Sequence, residues 1–286
     1  MPLLLNIAVD GIAYGMILFM ISVGLSVTMG LMRVINLAHG AFALIGGALA
    51  HAFTLKAGLG YLAAVPLAIV LVVLMALACE RLLFRRIYRL GELQQVLATI
   101  GLTFMVIAVV SRLLGSSLLA IPLPGILQQS IDLGFRVLPL HRLLVILLGV
   151  AVITALYLAI ERSRFGARLR AAVDNRNIAS ALGINTDATY AATFCLGAGL
   201  AALGGILGAE LLPIDAYYPL RYMVLFLIVV SVGGLGSISG SFAAAIALGI
   251  LETASRYLIT DVGTIVFFAI VMALLAVRPA GLLGKA

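Results

Sequence analysis

The sequence predicts an all-α fold, a polytopic bundle of membrane-spanning helices forming one domain over residues 1–286. Three observations carry this. Hydrophobic residues make up 64% of the chain, charged residues 10%, and the mean hydropathy is +1.25, a balance that no water-soluble class accommodates. The apolar residues fall into runs near the ~20 needed to cross a hydrocarbon layer, enough for about eight or nine spans. Strand-period alternation is missing, so the spanning element is the helix, which satisfies its backbone groups within one segment.

The first apolar run covers residues 3–31, with Asn6 and Asp10 near its start and Gly11, Gly15, Gly24 and Gly30 along it. It has no basic leader and no small-residue cleavage site, and reads as a retained helix. Arg33 follows, and then a second run, residues 35–55, that carries Asn36 and His39 just inside its start. Polar groups at such depth are costly unless they face protein or water. They mark either a translocation pathway or a satisfied structural position near a helix end.

A third span, residues 60–84, ends in Arg81, Arg85, Arg86 and Arg89, and a fourth covers residues 93–114. Residues 115–140 hold Pro122, Pro124 and Pro139 and few basic groups, which predicts an irregular external connection. The fifth span, residues 143–160, leads into the most polar stretch of the chain, residues 161–190. There Arg162, Arg164, Arg168, Arg170 and Arg176 precede a short helix predicted within residues 171–182. Ile178, Ala181 and Leu182 recur at helical spacing as a small apolar face, Asp174, Asn175 and Asn177 suit its start, and Gly183 supplies a stop. So short a helix buries too little to stand alone. It is either a contact surface for a partner or an ordinary solvated connection.

The sixth span, residues 189–211, places small residues four apart, Ala201 with Gly205 and Gly204 with Gly208, a spacing that lets helices approach closely in lipid. Gly197, Gly199 and Ala202 also fit a dinucleotide-binding spacing, but no strand precedes them and the match is false. A seventh segment, residues 222–232, is short and runs into the glycine-rich stretch 233–241. The break there is either a pathway wall built on Gly233, Gly234 and Gly236 or a simple turn. Residues 242–253 and 263–277 complete the bundle before Arg278 and Lys285.

Arg33, the cluster at 81–89, the cluster at 162–176 and Arg278 with Lys285 hold twelve of the eighteen basic residues. With nine spans, about the number the apolar runs supply, all four groups fall on one side, and the positive-inside rule makes that side the cytoplasm. An eight-span count leaves the side of the N-terminus open. This distribution explains the net charge of +7 without nucleic acid, since the basic residues sit at span ends and not on an aromatic-laced polar face. Cys79 and Cys195 follow no metal-ligand spacing and read as reduced packing residues. No phosphate-binding loop accompanies Lys56 or Lys285, and no zinc-protease motif, nucleophile elbow or paired-carboxylate cluster is present. The chain is therefore expected to be no enzyme, to bind no metal, and to use nucleotide only through partners.

Four stretches carry a family resemblance. Residues 36–42, NLAHGAF, after GLMRVI at 30–35, together with RAAVDNRNIASALGIN at 170–185, GGLGSISGS at 233–241 and RPAGLLGK at 278–285, resemble in order and spacing the branched-chain amino-acid ABC importer permeases of the LivH type. The resemblance covers nearly the whole chain. It implies a multi-pass subunit of the bacterial inner membrane that imports branched-chain amino acids by alternating access. Its implied partners are a homologous second permease, two cytoplasmic ATP-binding subunits and a periplasmic substrate-binding protein, with ATP used by those partners and no cofactor on this chain. It also implies a coupling helix over residues 175–182, for which Arg170, Asp174, Asn175, Ile178, Ala181, Leu182 and Gly183 are the candidate residues, and a pathway segment at Asn36, His39 and Gly40. Permeases of this pattern also serve urea and amides, so the substrate stays open at this point. An ATP-independent channel or secondary carrier would need midplane carboxylates, and a membrane-embedded assembly protein would need no pathway at all.

Overall fold

The computed structural model describes residues 2–32, 34, 36–88, 91–132, 137–259, 261–278 and 281. Arg33, Arg89 and Lys285, with most of the 278–285 stretch, lie outside the described residues.

The chain opens with α1 (Pro2–Ser26), continued by a π-helical turn (Val27–Leu31). An irregular stretch then leads to α2 (His39–His51), prolonged by a second π turn (Ala52–Lys56). Next come α3 (Tyr61–Cys79), a π turn (Glu80–Phe84), the short α4 (Arg85–Ile87) and α5 (Glu92–Leu114). The external connection holds one helical turn, α6 (Gly125–Gln128), and a hairpin in which β1 (Ser130–Asp132) pairs antiparallel with β2 (Val137–Pro139). This corrects the expectation of a wholly irregular loop: Pro124 starts the helical turn, and Pro139, at the end of β2, leads directly into α7.

After the hairpin, α7 (Leu140–Leu156) and its π turn (Tyr157–Glu161) return the chain to α8 (Arg164–Asp174) and α9 (Arg176–Ala181). The last four helices are α10 (Thr186–Gly208), α11 (Tyr218–Gly233), α12 (Ile238–Leu258) and α13 (Gly263–Val277). Among the described residues, six helices are long and apolar enough to cross a membrane, and α11 and α13 are shorter apolar helices. α11 starts four residues earlier than the sequence suggests because Pro219 sits in its first turn, where the missing N–H costs nothing. α12 starts earlier too, since the Ser237 hydroxyl accepts from the Gly240 N–H at 3.0 Å and caps the helix.

α1 runs through the centre, and small residues let it do so. A Cβ on Gly11 would lie 2.6 Å from Ile250 Cα of α12, and one on Gly24 would lie 2.6 Å from Gly197 Cα of α10. In return, Cβ atoms on Gly204 and Gly208 would lie 2.6 Å from Ile21 and Ile17 of α1, while Gly205 faces the Ala43 carbonyl of α2. Close backbone approach thus supplies the packing that lipid does not drive. α3, α5, α7 and α13 form the periphery and turn Leu62, Leu74, Met105, Leu147 and Met272 outward, as expected of surfaces bathed in hydrocarbon.

Contacts fix the two ends of the bundle. Gly24 beside Gly197 and Ile17 beside Gly208 set α1 antiparallel to α10. At one end, Met32 and Val34 pack with Leu169 of α8 and with Tyr88 and Tyr190. At the other, Asp10 accepts from Arg142 of α7 and from the Tyr257 hydroxyl of α12 at 2.8 Å. The N-terminus therefore lies at the end opposite to the basic clusters.

Candidate functional site

Two candidate regions lie in or next to the inner half of the bundle. The first is the polar stretch between α7 and α10, where the sequence predicts one helix and the structure forms two. Asn175 adopts an extended backbone, φ −149° and ψ 101°, which ends α8, and its side chain accepts from the Ile178 N–H at 3.0 Å to start α9. The competition between a side-chain cap and helix continuation is won here by the cap. Ser163 caps α8 in the same way, accepting from Phe165 N–H at 3.0 Å.

α8 is strongly amphipathic, and it is anchored by its apolar side: Leu169 and Ala172 are fully buried. Arg170 points outward and its guanidinium donates to the Ile160 carbonyl at 2.8 Å. The Tyr190 hydroxyl of α10 donates to the Ala172 carbonyl at 3.1 Å. From this anchor α9 projects with Ile178 59% and Leu182 75% exposed, Ala181 exposed beside them and Ala179 buried beneath. Asp174 is exposed at the junction, and Gly183 takes φ +81° after the helix, the left-handed conformation that closes a helix end. The seven candidate coupling residues are all exposed, along the end of α8, the break at Asn175 and α9 with the two residues that follow it.

Sequence reasoning missed what fixes that stretch to the bundle. Asp187, in the first turn of α10, receives both Arg85 of α4 and Arg176 of α9, and Arg176 also lies over the Tyr190 ring, 5.4 Å from its centroid. An acid two residues after the Asn185 cap, at the end of a basic stretch, was the available signal.

The second region is the start of α2. Leu37 N–H donates to Thr99 Oγ1 of α5 at 3.2 Å, and His39 lies against Gly24 and Gly197. Thr99 is seven residues into α5, Gly24 seven residues before the end of the α1 turn at Leu31, and Gly197 eleven residues into α10. Residues 36–39 thus sit below the helix ends, within the thickness of the bundle, and α2 begins there as a broken helix. Its start is lined with polar groups. Asn36 is fully buried and its Oδ1 accepts from the Ala38 N–H at 3.1 Å, while its Nδ2 has no hydrogen-bond partner. His39 is 3% exposed and lies beside the backbone of Ile21 and Gly197, yet its Nε2 has no hydrogen-bond partner. Thr99 and Thr103 are buried in the neighbouring stripe of α5. Gly40 packs at ordinary distance, its Cβ position 3.4 Å from Pro219 Cα.

The glycine stretch forms the turn between α11 and α12. Gly234 and Gly236 have φ +90° and +80°, and Gly236 meets Gly30 at the end of α1. A Cβ on Gly233 would lie 2.6 Å from Ser241 Cα. These glycines are brought to the inner end of the bundle, next to the segment that leads into α2; close packing accounts for Gly233 and Gly236, and the left-handed backbone for Gly234. Four carboxylates are buried among the described residues: Asp10 and Glu252 in α1 and α12, Glu80 in the π turn after α3, and Asp215 in the connection between α10 and α11. Asp215 and Glu252 pair with Arg221 and Arg256 at 2.5 and 2.6 Å. Among the described residues no group of His, Cys, Asp and Glu could hold a metal ion.

Residues 7–275 match the family described as "Branched-chain amino acid transport system / permease component". The chain is 29% identical over 290 residues to the high-affinity branched-chain amino acid transport system permease protein LivH of Escherichia coli, covering 96% of this chain and 94% of that protein. It is 29% identical over 291 residues to the corresponding protein BraD of Pseudomonas aeruginosa, covering 97% and 94%, and 26% identical to a probable LivH of Methanocaldococcus jannaschii, covering 96% and 90%. No solved structure matches. With the family match spanning nearly the whole of a multi-pass helical bundle, this chain belongs to the branched-chain amino-acid transport permeases, the membrane components of ABC transport systems.

Proposed function

We propose that this chain imports branched-chain amino acids across the bacterial inner membrane by alternating access, driven by two ATP-binding subunits, one of which docks on α9. A homologous second permease completes the bundle, and a periplasmic binding protein delivers the substrate at the Asp10 end. The observation that carries the reading is the outward apolar face of Ile178, Ala181 and Leu182 on a helix tied to α4 and α10 through Asp187. Large aliphatic side chains held out from a polar helix invite burial in a partner's groove, which contributes about 1.5–3 kcal/mol for each when complete. Arg170, Asp174 and Asn175 set the orientation of that face, and Gly183 ends it.

ATP binding closes the ATPase pair and displaces α9 as a rigid element, biasing a two-state bundle from its cytoplasmic side. The pathway on this reading passes Asn36, His39 and Gly40 at the broken start of α2, where two buried polar atoms lack partners in this state. The turn at Gly233, Gly234 and Gly236 forms the facing wall. A site that held its cargo tightly would trap it, so a few unsaturated polar groups in an otherwise apolar setting suit transfer of a zwitterion with an aliphatic side chain.

The test is ATP-driven leucine uptake in proteoliposomes that contain this chain, the second permease, the ATPases and the binding protein, with each component left out in turn. Uptake that requires every component is expected. In the same system Leu182→Asp inserts normally and loses its ATPases on purification. Uptake by this chain alone would overturn the reading, and so would a Leu182→Asp variant that keeps its ATPases and transports normally.

A further inference from the structure

Between the docking patch and the broken start of α2 the rings of six residues stand in line. His39 and Phe42 of α2 have ring centroids 6.3 Å apart. Phe42 meets Phe194 of α10 edge to face at 5.6 Å, and Phe194 meets Phe84 at 4.6 Å. Phe84 continues to Tyr88 at 6.3 Å, and Tyr88 to Tyr190 at 5.8 Å, over which lies the Arg176 guanidinium of α9. Every step falls within the range in which aromatic pairs attract, ~4.5–7 Å. Phe42, Phe84 and Phe194 are buried, so the middle of the line has no solvent to yield into. A second aromatic group, Tyr218, Tyr222 and Phe226, is linked by its own ring pairs and meets α2 at Gly40.

We propose that Phe84, Tyr88, Tyr190 and Phe194 are positioning residues that carry the movement of α9, received at Arg176, to His39. This rests on the reading of α9 as the docking helix and of His39 as part of the pathway. Flat, rigid rings in contact in a close-packed interior transmit displacement, because such packing changes between discrete arrangements and resists gradual deformation. The line also enters the bundle at a place that can give: Phe84 closes the π-helical turn Glu80–Phe84, where the regular hydrogen-bond ladder is already interrupted. Asp187 clamps Arg176 to Arg85, three residues before Tyr88, so that a shift of α9 reaches both sides of the Tyr88–Tyr190 contact together.

Tyr88 offers a clean test because its hydroxyl has no hydrogen-bond partner. Tyr88→Phe keeps the ring and removes a group that bonds to nothing, whereas Tyr88→Leu removes the ring. In the complete proteoliposome system, three quantities are measured: recovery of the intact complex, ATP hydrolysis, and leucine moved per ATP. Tyr88→Leu is expected to hydrolyse ATP at close to the normal rate and to move about five- to tenfold less leucine per ATP, the size of change that residues along a coupling network produce. Tyr88→Phe is expected to match the unaltered chain. A Tyr88→Leu complex with a normal ratio overturns the proposal, as does one whose hydrolysis and uptake fall together at a normal ratio, which is the signature of a merely structural ring. Equal losses in Tyr88→Phe and Tyr88→Leu also overturn it. If Tyr88→Leu yields no complex, the half-buried Tyr190→Leu is judged on the same ratio. Leu182→Asp run alongside separates the two readings: loss of its ATPases with a normal ratio in Tyr88→Leu removes the ring line and leaves the docking helix in place.

Discussion

At the end of the bundle that holds the start of α1, Arg142, Arg221 and Arg256 each face a carboxylate within the fold, Asp10, Asp215 and Glu252. Toward the opposite end lead the four stretches of sequence that hold twelve basic residues, nine of them described, against five acidic ones, Glu80, Glu92, Glu161, Asp174 and Asp187. The rest of the chain holds six of each sign, so the whole net charge of +7 comes from those stretches of the sequence. The difference teaches what each set of charges is for. Of the outer pairs, Arg142 with Asp10 holds α7 to α1, whereas Arg221 with Asp215 and Arg256 with Glu252 neutralise buried carboxylates locally, at the start of α11 and within α12. The inner basic excess orients the protein in the membrane, and of the acids there Asp187 ties Arg85 of α4 and Arg176 of α9 to α10. A charge removed from the outer end should therefore cost the fold, and one removed from the inner end should cost transport.

The frame common to both ends is the α1, α2 and α10 crossing, and breaking it should erase the comparison altogether. Gly205→Leu places a side chain against the Ala43 carbonyl, a backbone atom that cannot move aside. Overpacking of a core costs about 1–3 kcal/mol and more where backbone must shift. We expect the variant to insert poorly and to be recovered in low yield with its partners, and a normal yield would remove this crossing from the core of the fold.

At the outer end, Asp10→Ala takes from Arg142 and Tyr257 the acceptor that ties α1 to α7 and α12. Leaving a largely buried guanidinium without its partner should lower stability by about 2–3 kcal/mol. The check is the midpoint of thermal unfolding in detergent, which should fall clearly while the surviving protein transports as before. An unchanged midpoint would mean that the outer pairs are as idle as ordinary surface pairs.

The inner counterpart is Asp187→Ala. Asp187, Arg85 and Arg176 are all at least a third exposed, so screening limits what these pairs contribute to stability to under about 1 kcal/mol. The unfolding midpoint should hardly move. Leucine uptake should nevertheless fall several-fold, because α9 loses its tie to α4 and α10. A variant that loses stability and keeps its uptake would invert the comparison.

How much of this was legible in the sequence follows the same division. Span order, the basic end and the small-residue stripe at Gly204, Gly205 and Gly208 could be read, because hydropathy, charge and four-residue spacing are local properties. The apolar triple at Ile178, Ala181 and Leu182 was legible for the same reason, and it stands exposed. The cap at Asn175 was legible as one of three candidates, but the separate helix α8 before it was not, since its Leu169 is anchored by Met32 and Val34 from a distant part of the chain. Nor were the Asp187 clamp and the line from Tyr190 to His39, which join residues from α2, α4 and α10. Contacts of that kind leave no period in a sequence. The glycines at 233, 234 and 236 show the remaining ambiguity: a turn and a pathway wall call for the same residues, and only the approach of Gly236 to Gly30 gives the turn its physical cause.

Gly40 is where packing and pathway can be separated most finely. A Cβ there would stand 3.4 Å from Pro219 Cα and 3.5 Å from the Phe226 ring, ordinary contact distances, and the residue lies in the first turn of α2. Gly40→Ala should therefore leave the fold intact, or stabilise it by up to about 1 kcal/mol through helix propensity. Any loss of transport would then come from the added methyl group itself, next to His39. One methyl in a lining discriminates by up to about tenfold or somewhat more between substrates that differ by one carbon. Competition between valine and leucine in the proteoliposome assay reads this directly, with a shift toward valine expected if residues 36–40 line the path. An unaltered preference, in a variant that is as stable and as active as the parent, would take Gly40 out of the path and leave the start of α2 as a packing joint between the two ends.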